Sequence, residues 1–198
     1  MPNPSHQPKK FERLPHIQQI SEDHCGPAVI QMLLANLGIE ASQTEIAEAA
    51  GVIPKNLELY GTRVDQLADA VSKLSPQTKL WYKEHAGLSD IQTVLDQYHY
   101  PVAVEWQGLF DEELDMSEDD SDDYGHYSVV TYVDIENLQL IMVDPYKDFA
   151  DQDRIIKTDI FLKRWWDINQ SKKDDRLFFI VTPVTEIFPM TIGMSDFS

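Results

Sequence analysis

HYSVVTYVDIENLQLIMVDP, residues 126–145, decides the fold. Its two runs, HYSVVTYV and LQLIMVDP, are rich in β-branched and aromatic residues, and the polar DIEN between them reads as a turn. The stretch is expected to form a β-hairpin. With the turn centred near Ile135 and Glu136, His126 pairs opposite residue 144, 145 or 146. Asp144 then lies beside His126, directly or on the near diagonal, within reach of a side-chain hydrogen bond. Tyr127 is expected to point to the opposite face of the sheet.

Working outward, PVAVEWQ, LFFIVTP and KLWYKE read as further strands. The first half of the chain has helical period instead. Val29, Ile30, Leu33, Leu34 and Leu37 form an apolar helix ended by Gly38, and Ser42 with Glu45 forms a capping box for a helix stopped by Gly51. Val64, Leu67, Val71 and Leu74 mark a third helix, Ser89 and Gln92 are expected to cap a fourth, and TDIFLKRWWDI reads as a late helix with one tryptophan in the core and one at a groove edge. Helices first and an antiparallel sheet later give an α+β domain, with N-terminal helices packed on the sheet.

With 198 residues, 42% of them hydrophobic, the chain supports one well-packed domain. The expected organisation is a flexible N-terminal arm over 1–16, a domain over 17–184 carrying an acidic insert at 111–123, and a weakly patterned C-terminal tail over 185–198. The N-terminus has no apolar core of the kind a secretory signal needs, and no apolar run approaches the roughly 20 residues that cross a bilayer. A single cysteine excludes an intramolecular disulfide and suits a reducing, cytoplasmic setting.

The formal charge is −18, and DEELDMSEDDSDD, Asp111 to Asp123, supplies nine acids and no base. Such a field repels nucleic acid and anionic membranes, so neither is expected as a partner, whereas a basic peptide or a divalent cation is compatible. A calcium loop is not supported: Asp120, Asp122 and Gly125 echo an EF-hand, but its twelfth position would be Thr131 inside a strand. Asp123 is three residues from His126, and negative charge there would favour the protonated imidazole. No cofactor and no metal are expected. One cysteine and the dispersed His16, His24, His85 and His99 lack ligand spacing.

The lone Cys25 stands in HCGPAV, residues 24–29, at a predicted helix N-terminus. Unpaired amides and the helix dipole favour an anion there, Pro27 suits a first turn, and Gly26 permits close backbone approach. The thiol reads equally as a small core residue or as a nucleophile. His126 and Asp144 supply the other two parts of a Cys-His-Asp triad.

Gln19, five residues, then CGPA, later GHYSVV, and an Asp-Pro eighteen residues after the histidine together resemble the bacteriocin-processing, double-glycine-leader cysteine peptidases, most closely their stand-alone members. The resemblance implies a papain-like fold, a peptide or protein substrate, Cys25 as nucleophile, His126 as general base and acid, and Asp144 as the residue orienting the imidazole. It implies Gln19, rather than the adjacent Gln18, as a donor to the oxyanion hole beside the Cys25 N–H. His24 departs from the pattern, because exporter-linked members carry Asp directly before the cysteine, and here Asp23 is one step earlier. No transporter segment follows, so coupling to export is not expected. A papain-fold amidase, an acyl or peptidyl transferase, and a non-catalytic peptide- or cation-binding module stay open, as does the oligomeric state.

Overall fold

Six antiparallel strands form one sheet, whose central strands are apolar on both faces and have a helical layer on each face to bury them. In the computed structural model the described residues are 11, 14–52, 55, 57, 61–108, 110, 125–169 and 172–197. The acidic insert at 111–123 and most of the N-terminal arm lie outside them.

The helices of the first half are α1 (Cys25–Asn36), α2 (Gln43–Ala49) and α3 (Val64–Leu74). Gly38 (φ 77°) and Gly51 (φ 71°) take the left-handed backbone that ends the first two. The Ser42–Glu45 capping box is present, with Ser42 Oγ accepting from Glu45 N–H at 3.2 Å and Glu45 accepting from Ser42 N–H at 2.8 Å. The fourth helix, α4 (Leu88–Thr93), is capped differently from expectation: Gly87 is its N-cap and Asp90 accepts from the Gly87 N–H at 2.8 Å. It continues into a π-turn, Val94–Tyr98, closed by His99 in the left-handed region.

The strands are β1 (Thr78–Lys83), β2 (Val102–Gln107), β3 (Gly125–Asp134), β4 (Gln139–Val143), β5 (Asp153–Lys157) and β8 (Phe178–Pro183), in the spatial order β1-β8-β2-β3-β4-β5. Between them come α5 (Thr158–Arg164) and a separate hairpin of β6 (Trp166–Asn169) and β7 (Lys172–Asp175). The expected late helix is therefore shorter than its sequence suggests. It stops at Arg164 because the Trp165 carbonyl accepts the Arg176 N–H at 3.0 Å and the Trp165 indole donates to Leu177 O at 2.9 Å, which turns the chain back into strand. Trp165 is fully buried and Trp166 is half-buried.

Alternation sorts the sheet side chains into two cores. Ala103, Tyr127, Val129, Phe179 and Val181 meet Val29, Ile30, Leu33 and Leu67 from the N-terminal helices. Val104, Trp106, Val130, Met142 and Phe178 meet Ile91, Leu95, Phe161 and Trp165 on the other face. The segment after Pro183 carries α6 (Phe188–Thr191), stacks Phe188 on Tyr98 at 3.9 Å, and bridges Ser195 to Tyr82 on the β1 edge. No helix among the described residues is long and apolar enough to cross a membrane.

One glycine fixes how closely α1 meets the sheet. A Cβ on Gly26 would sit 2.1 Å from Thr62 Oγ1 and 3.4 Å from the Tyr127 ring. Gly26→Ala is expected to cost about 1–3 kcal/mol, the usual range for overpacking a tight contact, as a lowered urea midpoint with unchanged slope.

Candidate functional site

The geometry of the site is set by a register shift. From the turn outward, Asp134 pairs with Gln139, Val133 with Leu140 and Tyr132 with Ile141. A bulge between Val130 and Tyr132 then changes the count, so Val130 pairs with Met142 and Val129 with Val143. Carried one step further, this register puts Asp144 opposite Ser128, on the face of His126. Without the bulge Asp144 would fall opposite Val129, on the other face, since a one-residue slip flips every side chain. Asp144 thus lies on the diagonal from His126. Met142 also pairs with Arg154 of β5, so Asp144 stands on the diagonal from Arg154 as well.

His126 Nε2 and Asp144 Oδ1 are 2.8 Å apart, with the two residues 2% and 0% exposed. The Asp144 carboxylate takes three further hydrogen bonds: the Tyr146 N–H on Oδ1 at 2.9 Å, and on Oδ2 the Arg154 guanidinium at 2.6 Å and the Ser128 hydroxyl at 3.2 Å. Ser128 Oγ in turn accepts from the Trp106 indole at 3.0 Å. Burial raises the cost of the Asp144 charge, but His126 and Arg154 outweigh it and hold the carboxyl at about 2. Burial likewise opposes a charged His126, yet Asp144 and then Cys25 overcome it and push the imidazole up to about 10.

Cys25 is the first residue of α1 and only 8% exposed. It stands close enough to act on the His126 imidazole and favour its charged form. Because Nε2 faces Asp144, Nδ1 is the ring nitrogen left for sulfur. Helix geometry leaves the N–H groups of Cys25 and Gly26 without intrahelical acceptors, and Pro27 has none to offer. Free amides at a helix N-terminus favour an anion in general. The other face of the imidazole is covered by Phe110, whose ring is 5.1 Å away in an edge-on arrangement and 4.7 Å from Tyr146.

Gln19 is drawn in beside the same hairpin by its N–H, which donates to Pro145 O at 2.9 Å. Buried Gln43 braces that loop, accepting from the Ile20 N–H at 2.9 Å and donating to Gln18 O at 2.9 Å. Gln19 is buried and Gln18 exposed. Both Gln19 amide hydrogens are engaged, with Ser21 O at 2.8 Å and Glu22 O at 2.9 Å, while its buried Oε1 has no hydrogen-bond partner among the described residues. His24 sits at the N-cap and holds Ser21 Oγ at 2.6 Å through Nδ1. Tyr127 points to the opposite face as its parity requires, where its hydroxyl lies 2.6 Å from Glu105 Oε1 and 2.9 Å from Thr62 O.

Sequence reasoning missed Arg154, Ser128, Trp106 and Phe110. Arg154 is set inward by the burial alternation of β5, which the residue types of DRIIK do not show. The strand is short and charged at both ends, so its pairing with β4 is not legible without the fold. Among the described residues no group of three or more His, Cys, Asp or Glu side chains is arranged to hold a metal ion.

The sequence model of the Peptidase C39-like family matches residues 11–173. The peptidase domain of Streptococcus ComA, a bifunctional ABC transporter involved in quorum sensing, superimposes with a TM-score of 0.57 at 21% identity, covering 84% of this chain and 96% of that one. A double-glycine-motif protease from an AMS/PCAT transporter, in complex with its leader peptide, gives a TM-score of 0.53 at 15% identity over 90% and 99%. An uncharacterized protein of Methanothermobacter marburgensis is 36% identical over 56 residues, which is 28% of this chain and 39% of that protein. The match thus spans well under half of that curated relative. The structural likenesses show the fold, which is α+β and papain-like.

The raised His126 and lowered Asp144 make stability depend on pH in a defined sense. The His126 contribution is complete below 6.5 and is lost as pH climbs through about 10. The Asp144 contribution is complete above 3.8 and is lost as pH falls through about 2. Asp144→Ala removes the carboxylate that pairs with both buried Arg154 and His126, so it is expected to cost about 3–5 kcal/mol near neutrality, with the deficit narrowing toward alkaline pH in urea titrations.

Proposed function

Because the chain belongs to the Peptidase C39-like family, we propose that it is a cysteine peptidase working through Cys25, His126 and Asp144. The observation that carries this reading is the buried 2.8 Å contact between His126 Nε2 and Asp144, with a cysteine on a helix tip close enough to act on the same imidazole. In this reading the Cys25 thiolate attacks the carbonyl carbon of the scissile bond. The His126 imidazolium gives its proton to the leaving amine, and a thioester forms on Sγ. Water then attacks that thioester, passing its proton to His126, and the carboxylic acid departs as the thiolate is regenerated.

Asp144 orients the ring and keeps Nδ1 toward sulfur. The oxyanion is received by the Cys25 N–H, joined by the Gln19 carboxamide after it turns away from the Ser21 and Glu22 carbonyls. The substrate class is a peptide, in keeping with the leader peptide bound by the transporter-linked neighbour. The acidic composition of 111–123, which ends three residues before His126, favours a basic one.

Iodoacetamide at about pH 6, where free thiols are largely protonated, is expected to label Cys25 stoichiometrically and to fail in His126→Ala. Labelling no faster than a free cysteine would leave the fold as a binding module. Gln19→Ala is expected to keep the labelling and lose about 10²–10³ in turnover, the usual cost of an oxyanion donor. Mass spectrometry of a peptide library with added amine acceptors separates hydrolysis from acyl transfer. Cleavage of basic members is expected to fall steeply with salt, and salt-independent rates would remove the electrostatic preference.

A further inference from the structure

We propose that Arg154 is a positioning residue for the reaction, fixing Asp144 through Oδ2 so that Oδ1 addresses His126, and lending a positive charge that makes the imidazolium a better proton donor. The proposal rests on the peptidase reading for its chemistry, but its geometry and its first readout do not.

The guanidinium is confined on every side that matters. Arg154 comes from β5, the edge strand, yet it is 8% exposed and its guanidinium is 2.6 Å from Asp144 Oδ2. The guanidinium carbon lies 3.8 Å from the Phe149 ring centroid and 5.5 Å from that of Trp106, which hold it between two aromatic rings. The two carboxylate oxygens are thereby divided between the two cations. A carboxylate gripped at one oxygen cannot swing the other away from the imidazole.

From His126 outward the groups follow one another through direct contacts, imidazole to the Asp144 carboxylate and carboxylate to the Arg154 guanidinium. A buried carboxylate alone would bind the imidazolium proton so tightly that the ring could not release it to an amine. A guanidinium on the far oxygen draws off part of that field. Cys25 from α1 and Asp144 beyond β4 bear on His126 directly, Arg154 from β5 reaches it through Asp144, and Trp106 and Phe110 are its ring neighbours. Asp167 of the β6–β7 hairpin lies over Gly125, one residue before His126. The pair Glu105 and Tyr127 is on the opposite face of the sheet.

The first test follows the His126 ring by NMR in full-length Cys25→Ala protein, where no catalysis is needed. Arg154→Gln, which keeps a hydrogen-bond donor and loses the charge, is expected to raise the imidazole midpoint by about one pH unit. In Asp144→Asn protein the same change is expected to move it by much less, because the effect runs through the carboxylate. An unmoved midpoint in folded Arg154→Gln overturns the proposal.

The second test uses active protein and an amide and a nitrophenyl ester of one peptide. The amide needs a proton on its leaving group and the ester does not, so Arg154→Gln is expected to slow acylation by the amide about three- to tenfold more than by the ester. Equal slowing overturns the proton-donor role. Arg154→Lys keeps the charge and so the fold; it is expected to hold the midpoint while lowering kcat at unchanged KM, and wild-type kcat would overturn the positioning role even if Arg154→Gln fails to fold. If wild-type Cys25 is unreactive, the peptidase reading fails while the ring titration still decides the Arg154–Asp144–His126 coupling.

Discussion

A single buried carboxylate organises this end of the molecule. Asp144 is fully buried and takes four hydrogen bonds: the His126 ring and the Tyr146 N–H on one oxygen, the Arg154 guanidinium and the Ser128 hydroxyl on the other. Removing such an ion from water costs several kcal/mol, and only a complete set of donors offsets it. The donors come from different stretches of chain, namely β3, β5 and the turn after β4. Satisfying the carboxylate therefore dictates how these segments sit, and the imidazole is held as one consequence.

The bulge at Thr131 is what lets that carboxylate reach the right face. Thr131 Oγ1 donates to Ile141 O at 3.2 Å, giving the extra residue a partner on the neighbouring strand. On one side of the bulge, Val133 and Leu140 face the second core; on the other, Val130 and Met142 do the same. Both halves of the hairpin keep their apolar residues inward, so hydrophobic burial itself specifies the shift. The charged pair is carried into position by the packing of valines and a methionine several residues away.

This explains what can be read from the chain and what cannot. The nearness of His126 to Asp144 along the hairpin is legible from a two-strand count, because a diagonal contact two residues off still serves, but the bulge that puts both on one face is not in that count. Gly38, Gly51 and the Ser42–Glu45 box are legible because caps are local chemistry. The cap at Gly87 is hidden behind Ser89, a residue type that favours the same position, and only the Asp90 contact to the Gly87 N–H resolves the competition. Arg154 is not legible at all. Its role depends on a third strand, and nothing in DRIIK announces whether it pairs with β4 or lies in a loop. The tryptophans at 165 and 166 show their burial in the sequence but not their backbone, because periodicity over two residues does not separate a helix end from a strand start.

If the proposed peptidase chemistry holds, Gln19 is where the structure and the reacting state would diverge. Its carboxamide donates both hydrogens to neutral carbonyls and leaves a buried oxygen unpaired, an arrangement that forfeits about 1–3 kcal/mol for the orphaned acceptor. A developing oxyanion is a charged acceptor, and hydrogen bonds to charge are roughly twice as strong as those between neutral groups. The resting pose is therefore shallow and the reacting one deeper. Meanwhile the Gln19 backbone is pinned by Pro145, next to Asp144, and Gln43 ties the flanking residues to α2. The hinge for any reorientation is thus confined to the side chain. In the proposed peptidase, a donor mobile only in its rotamer, on a backbone anchored to the same hairpin that holds the imidazole, would stabilise charge as it appears without loosening the His126–Asp144 pair.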